Sequence, residues 1–114
     1  MKTEQFKNKV WEEFKAIARL HFPKRIYRTY LRLAFLKVEL LESLHNGFSY
    51  FLYRKEDGEL RDTFATLDPK ITPTYRFRGG KAAARNEAIL VTAWDNNKCM
   101  WRTFRVDRVV KIYV

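Results

Sequence analysis

The sequence predicts an α+β protein, with two N-terminal helices followed by a small antiparallel β-barrel of four to five strands. Three observations carry this reading. Up to residue 46, apolar residues recur every three or four positions. From Phe48 onward the period drops to two. Tight-turn residues at Asp57-Gly58 and Asn96-Asn97-Lys98 then cut the remainder into short strands, which favours a small barrel over an open sheet. At 114 residues the chain is expected to form a single domain, with a helical segment at 1–47 and the barrel at 48–114.

In the first helix, Phe6, Val10, Phe14 and Ile17 form the apolar stripe, with Trp11 and Ala18 beside it. Thr3 suits the N-cap, and Glu4 suits the positive end of the helix dipole. Pro23 ends this helix, because its ring disfavours helical geometry in the residue before it. Tyr27, Leu31, Ala34, Val38 and Leu41 supply the stripe of a second helix, which Asn46-Gly47 terminates. Lys24, Arg25, Arg28 and Arg32 crowd the start of that helix, where the dipole disfavours cations. They read either as a solvated face or as an edge that contacts phosphate.

The strands are expected at Phe48–Lys55, Leu60–Leu67, Ala88–Asp95, Met100–Asp107 and Val109–Val114. A two-residue turn at Asp57-Gly58 would pair residues whose numbers sum to 115, setting Phe51 beside Phe64. A four-residue loop in the second hairpin pairs residues that sum to 195. Ile89, Val91, Phe104 and Val106 then fall on the core face, and Trp94 faces Trp101 on the other, with Arg105 nearby. The Trp pair has two readings: packing, within the hairpin or beneath the helices, or a stacking platform for bases. Arg102 points to the core side opposite Ala93, so it must be paired or lie at the barrel mouth, where Arg61 and Arg108 are grouped with it. The pairing would be an ion pair with Asp62, Asp95 or Asp107; the alternative is an anion site, since guanidinium forks suit phosphate and carboxylate. Residues 68–86 form one long polar loop carrying Lys70, Arg76, Arg78, Lys81 and Arg85.

The chain carries 23 basic and 13 acidic residues, a net charge of +10, which is the footprint of a protein that meets phosphates. Cys99 is the sole cysteine, so there is no internal disulfide, and no Cys/His spacing suggests zinc. The N-terminal residues are charged throughout, and no apolar run is long enough for a membrane span, so a cytoplasmic protein is expected. No P-loop, dinucleotide-binding glycine pattern or catalytic constellation is present. The expected protein is therefore not an enzyme and needs no cofactor or metal.

Residues 88–110, with Ala88-Ile89-Leu90, Trp94-Asp95 and Trp101-Arg102-Thr103-Phe104-Arg105-Val106-Asp107-Arg108, resemble the end of WYL domains. The larger segment 48–110 is similar to a stand-alone WYL-like family of Sm-like or SH3-like barrels from gut bacteria and their phages. The matching residues are Lys55, Asp57, Gly58, Arg61, Thr66, Leu67, Ile71, Pro73, Trp101, Arg102, Phe104, Arg105 and Asp107. Three departures stand out: Ala88-Ile89-Leu90 replaces the name-giving tripeptide, Thr63 and Ala65 replace the family's Ala and Gly, and these 114 residues are expected to hold no helix-turn-helix domain of ordinary size. The resemblance implies an SH3-like barrel and a regulatory module that senses nucleic-acid-related ligands through aromatic and arginine residues. Arg102 and Arg105 are the positions carried over. The expected partner is single-stranded nucleic acid or a nucleotide-like anion, bound by Arg61, Arg76, Arg78, Lys81, Trp94, Trp101, Arg102, Arg105 and Arg108. The competing expectation is a protein-interaction module, with a protein partner or a second copy of the chain.

Overall fold

The computed structural model describes residues 3–20, 27–72 and 87–113. Helix α1 spans Glu4–Leu20 and α2 spans Tyr27–His45. Strands β1 (Phe48–Arg54), β2 (Leu60–Thr66), β3 (Leu90–Asp95), β4 (Met100–Arg105) and β5 (Val109–Tyr113) follow. Short 3-10 turns at Glu87–Ile89 and Val106–Arg108 lead into β3 and β5. They replace the outer residues of the strands expected at Ala88 and Asp107.

The helix ends behave as their residues dictate. Thr3 caps α1, its Oγ1 accepting from the Phe6 amide at 3.1 Å. Gly47 closes α2 at φ +116°, a left-handed conformation that glycine adopts without penalty. The Pro23 terminator lies outside the described residues, as do Lys24 and Arg25; Arg28 and Arg32 are exposed on α2.

The α1 stripe packs as expected, with Phe6, Val10 and Ile17 buried and Phe14 half-buried. That of α2 differs from its expected form. Leu31 is exposed, and the helix buries two stripes instead of one. Tyr30, Ala34 and Val38 meet α1, together with Ala88 and Ile89. Leu40 and Leu44 enter the barrel core with Phe51, Tyr53, Ala65, Val91, Ala93, Phe104, Val106 and Val109. Leu33 packs against both clusters. Stripes at 30/34/38 and 33/36/40/44 lie about 115° apart around the axis at 3.6 residues per turn, so one helix serves two cores.

The strands form one antiparallel sheet in the order β4-β3-β2-β1-β5. The β2–β3 pairing is short, confined to Ala65↔Asp95 and Thr66↔Trp94. β4 and β5 are the two ends of this order, so the barrel is open between them. The second hairpin has the expected register, Trp94↔Trp101 and Ala93↔Arg102 included. The first does not. Its pairs sum to 114, as in Phe48↔Thr66 and Phe51↔Thr63. The cause is the turn. Lys55 N–H donates to Glu59 O at 2.8 Å, and Gly58 N–H to Lys55 O at 2.9 Å, which makes a three-residue loop. Gly58 sits at φ +90°, the left-handed position of a bulge-type hairpin loop. One extra loop residue changes which side chains are partners. Phe51 therefore does not pair with Phe64; it is fully buried, edge-on to Phe104 at 5.3 Å.

Thr66 ties the helix to the sheet. Its hydroxyl donates to Gly47 O at 2.5 Å and accepts from the Asp68 amide at 3.0 Å. No helix of the described residues is long and apolar enough to cross a membrane.

Candidate functional site

The chemistry gathers at the free edge of β4. There a cleft of about 500 Å³ is lined by Tyr53, Lys55, Glu56, Asp57, Arg102, Thr103, Arg105 and Arg108. Three of its cations come from the Trp101–Arg108 segment. Arg102 and Arg105 leave β4 on opposite faces, yet both reach the cleft because no described strand covers that edge. The 3-10 turn after β4 brings Arg108 back toward them. Lys55, Glu56 and Asp57 arrive from the β1–β2 loop.

Carboxylates hold two of the guanidiniums. Asp107 takes Arg105 in a bidentate pair, Nε to Oδ1 at 3.0 Å and Nη2 to Oδ2 at 2.8 Å. This pair raises the Arg105 pKa, so its charge is permanent. Asp95, 1% exposed, accepts from Arg102 Nη1 at 3.3 Å. The other Asp95 oxygen accepts from the amides of Asn97 and Lys98, which anchors it in the β3–β4 loop. Arg102 also lies over the Phe104 ring at 5.7 Å. The expected ion pair of Arg102 is thus real and its partner is Asp95. Each fork keeps further N–H donors beyond those it spends on its aspartate.

Arg108 reaches Glu56 at 3.9 Å, and Lys55 lies 3.7 Å from Asp57 and 3.8 Å from Glu59. These pairs are exposed and weak, and a bound anion can replace them. The cleft is therefore a set of oriented donors and not a patch of bare positive charge. Tyr53 forms part of its wall, its hydroxyl accepting from the Arg105 amide at 3.3 Å.

The other expected site residues divide. Arg61 is half-buried opposite Tyr53 on β2 and does not line the cleft. Arg76, Arg78 and Lys81 lie outside the described residues. Trp94 and Trp101 meet edge-on at 5.8 Å, half-exposed, and belong to neither core cluster. Tyr53, Lys55 and Thr103 are cleft residues that the sequence reading missed. Lys55 and Thr103 carry no local signal of a site; only the fold of the loop over the β4 edge brings them in.

Two hairpins, a strand that returns to β1 and a helix seated in their core make this a small β-barrel module of the SH3-like and Sm-like kind. Residues 37–110 match the family WYL_2, described as an Sm-like SH3 beta-barrel fold, and the chain belongs to that family. Comparisons with curated proteins and with solved structures gave no match.

Proposed function

We propose that this barrel is a binding module for single-stranded nucleic acid or a nucleotide-like anion, acting by recognition and not by catalysis. The observation that supports the reading is the cleft, where Arg102, Arg105 and Arg108 converge with Lys55, and aspartates aim two of the guanidiniums. Oriented forks suit phosphate or carboxylate oxygens, which accept two parallel N–H bonds. The chain's net charge of +10 supplies long-range attraction to a polyanion. Cytoplasmic nucleic acid or nucleotide is the setting this reading implies.

Titration of labelled single-stranded RNA and DNA at low and high salt tests the proposal. Affinity should fall steeply with salt. Arg105→Ala should weaken binding about tenfold, the worth of about 1.5 kcal/mol for a charged hydrogen bond. Arg105→Lys should not restore it, because a lysine lacks the fork. Binding no tighter than that of an unrelated basic protein, and unchanged by Arg105→Ala, would overturn the reading.

A second reading, a protein-interaction or self-association module, draws on the edges. Among the described strands, β4 and β5 each have a single neighbour, which leaves backbone donors and acceptors able to pair with another chain. Light scattering over a concentration series tests self-association directly.

A further inference from the structure

We propose that the outer face of β5, β1 and β2 stacks the bases of a single nucleic-acid strand, through an aromatic ladder of Tyr113, Tyr50, Phe64 and Phe48. The inference rests on the binding reading above and adds a second surface to it, distinct from the arginine cleft.

Register creates the ladder. Tyr50 pairs with Tyr113 on one side and Phe64 on the other, and alternation places Phe48 on the same face of β1. Phe48 stacks on Phe64 at 4.5 Å and 10°. Tyr50 lies 5.0 Å from Tyr113 and 6.3 Å from Phe64. None of the four belongs to either core cluster. Phe48 and Tyr50 remain 38% and 39% exposed. The same row of cross-strand partners runs on from Phe48 through Thr66 to Trp94 and Trp101.

The flanks suit a strand with an outer row of phosphates. Lys111 stands over the Tyr113 ring at 5.3 Å. Arg54 follows Phe48, Tyr50 and Leu52 in the outward alternation of β1, and its Nη1 donates to Gly58 O at 3.0 Å. Asp62 is the acidic residue on this face, and it is engaged with the Tyr50 hydroxyl. Partial desolvation and that hydrogen bond raise the Tyr50 phenol above its ordinary pKa and keep the ring neutral. Charge decides the occupant. A second copy of the chain would bring another +10 against the first, whereas a nucleic-acid strand brings compensating phosphates and flat rings together.

The test uses the full chain and two probes of about ten nucleotides, an oligothymidylate and an abasic strand with the same phosphates. Anisotropy should show the base-bearing strand binding at least tenfold tighter, the factor expected from stacking of one or more bases. Tyr50→Ser and Phe48→Ser change exposed rings, and a thermal melt confirms that each variant is folded. Each should cut oligothymidylate affinity about tenfold and leave abasic binding unchanged, while Tyr50→Phe keeps it. Arg105→Ala should weaken both strands alike. Equal affinity for the two strands, or oligothymidylate binding unaffected by both serine variants, overturns the stacking surface and leaves the arginine cleft standing. Absence of binding to either strand overturns the stacking surface and, with it, single-stranded DNA as the ligand of the cleft.

Discussion

Lys37 and Glu13 show how one buried charge can be held between helices. Lys37 is 9% exposed on α2, and its ammonium meets the Glu13 carboxylate of α1 at 2.6 Å. The lysine stem packs among apolar neighbours while the head reaches its partner. Removing the acid would leave the cation buried and without Glu13. Glu13→Ala should therefore cost between about 1 kcal/mol, the scale of an exposed pair, and about 3 kcal/mol, the scale of a buried one. Lys37→Met, which removes the charge and keeps the volume, should be close to neutral. Urea denaturation of the two variants measures the difference. A Lys37→Met loss as large as that of Glu13→Ala would show that the ion pair itself stabilises the helix contact. The sequence reading placed Lys37 nowhere, since a lysine within a helix usually faces water. Arg102 is the opposite case. Strand alternation alone sends it to the core side with Asp62, Asp95 or Asp107 as possible partners, and the tertiary structure selects Asp95.

At the scale of elements, hairpin loops decide what each strand presents. The β3–β4 register was legible because its four-residue loop leaves Trp94 and Trp101 opposite one another. The β1–β2 register lies one residue from the sequence expectation because the loop holds three residues where Asp57-Gly58 predicts a two-residue turn. Glu56-Asp57-Gly58 is a three-residue loop that ends on a left-handed glycine, and the Asp57 carboxylate accepts from the Glu59 amide at 3.0 Å. That residue of difference hid the aromatic ladder. The two loops also carry opposite backbone costs. Gly58→Ala should destabilise by about 1–2 kcal/mol, because any Cβ is strained at φ +90°. Cys99 already bears such strain at φ +52°, so Cys99→Gly should stabilise by up to about 1 kcal/mol. Thermal melts of both variants check the pair, and stabilisation by Gly58→Ala would contradict the loop geometry.

For the whole molecule, charge is the dominant condition. Acidic partners meet many of the described cations, among them Lys7, Lys9, Lys15, Lys37, Arg102 and Arg105. The net +10 nevertheless remains as self-repulsion. Raising ionic strength from about 0.01 M to about 0.15 M shortens the screening length from about 30 Å to about 8 Å. The melting temperature should rise across that range. A fall would mean that the surface ion pairs outweigh the repulsion. Fold class was legible at this scale, since the change of apolar period at residue 48 coincides with the junction between α2 and β1. The site was legible only in part. Arg102, Arg105 and Arg108 stand in one short motif, but their meeting with Lys55 and Tyr53 depends on an edge strand and a loop 45 or more residues away in the chain.

Helix α2 carries one further consequence. Because it lends side chains to both apolar clusters, with Leu33 shared between them, neither half can open without disturbing the other. The N-terminal helices are thus not an appendage to the barrel. Slowly exchanging amides in α1 and in β1 should report the same global opening, as a single cooperative unit. The family match begins at Lys37, in the middle of this helix, so a fragment cut there would lose Tyr30 and Ala34 and strip the cover from Ala88 and Ile89. A common exchange rate in α1 and β1 would make the unit that folds larger than the unit that the family match delimits.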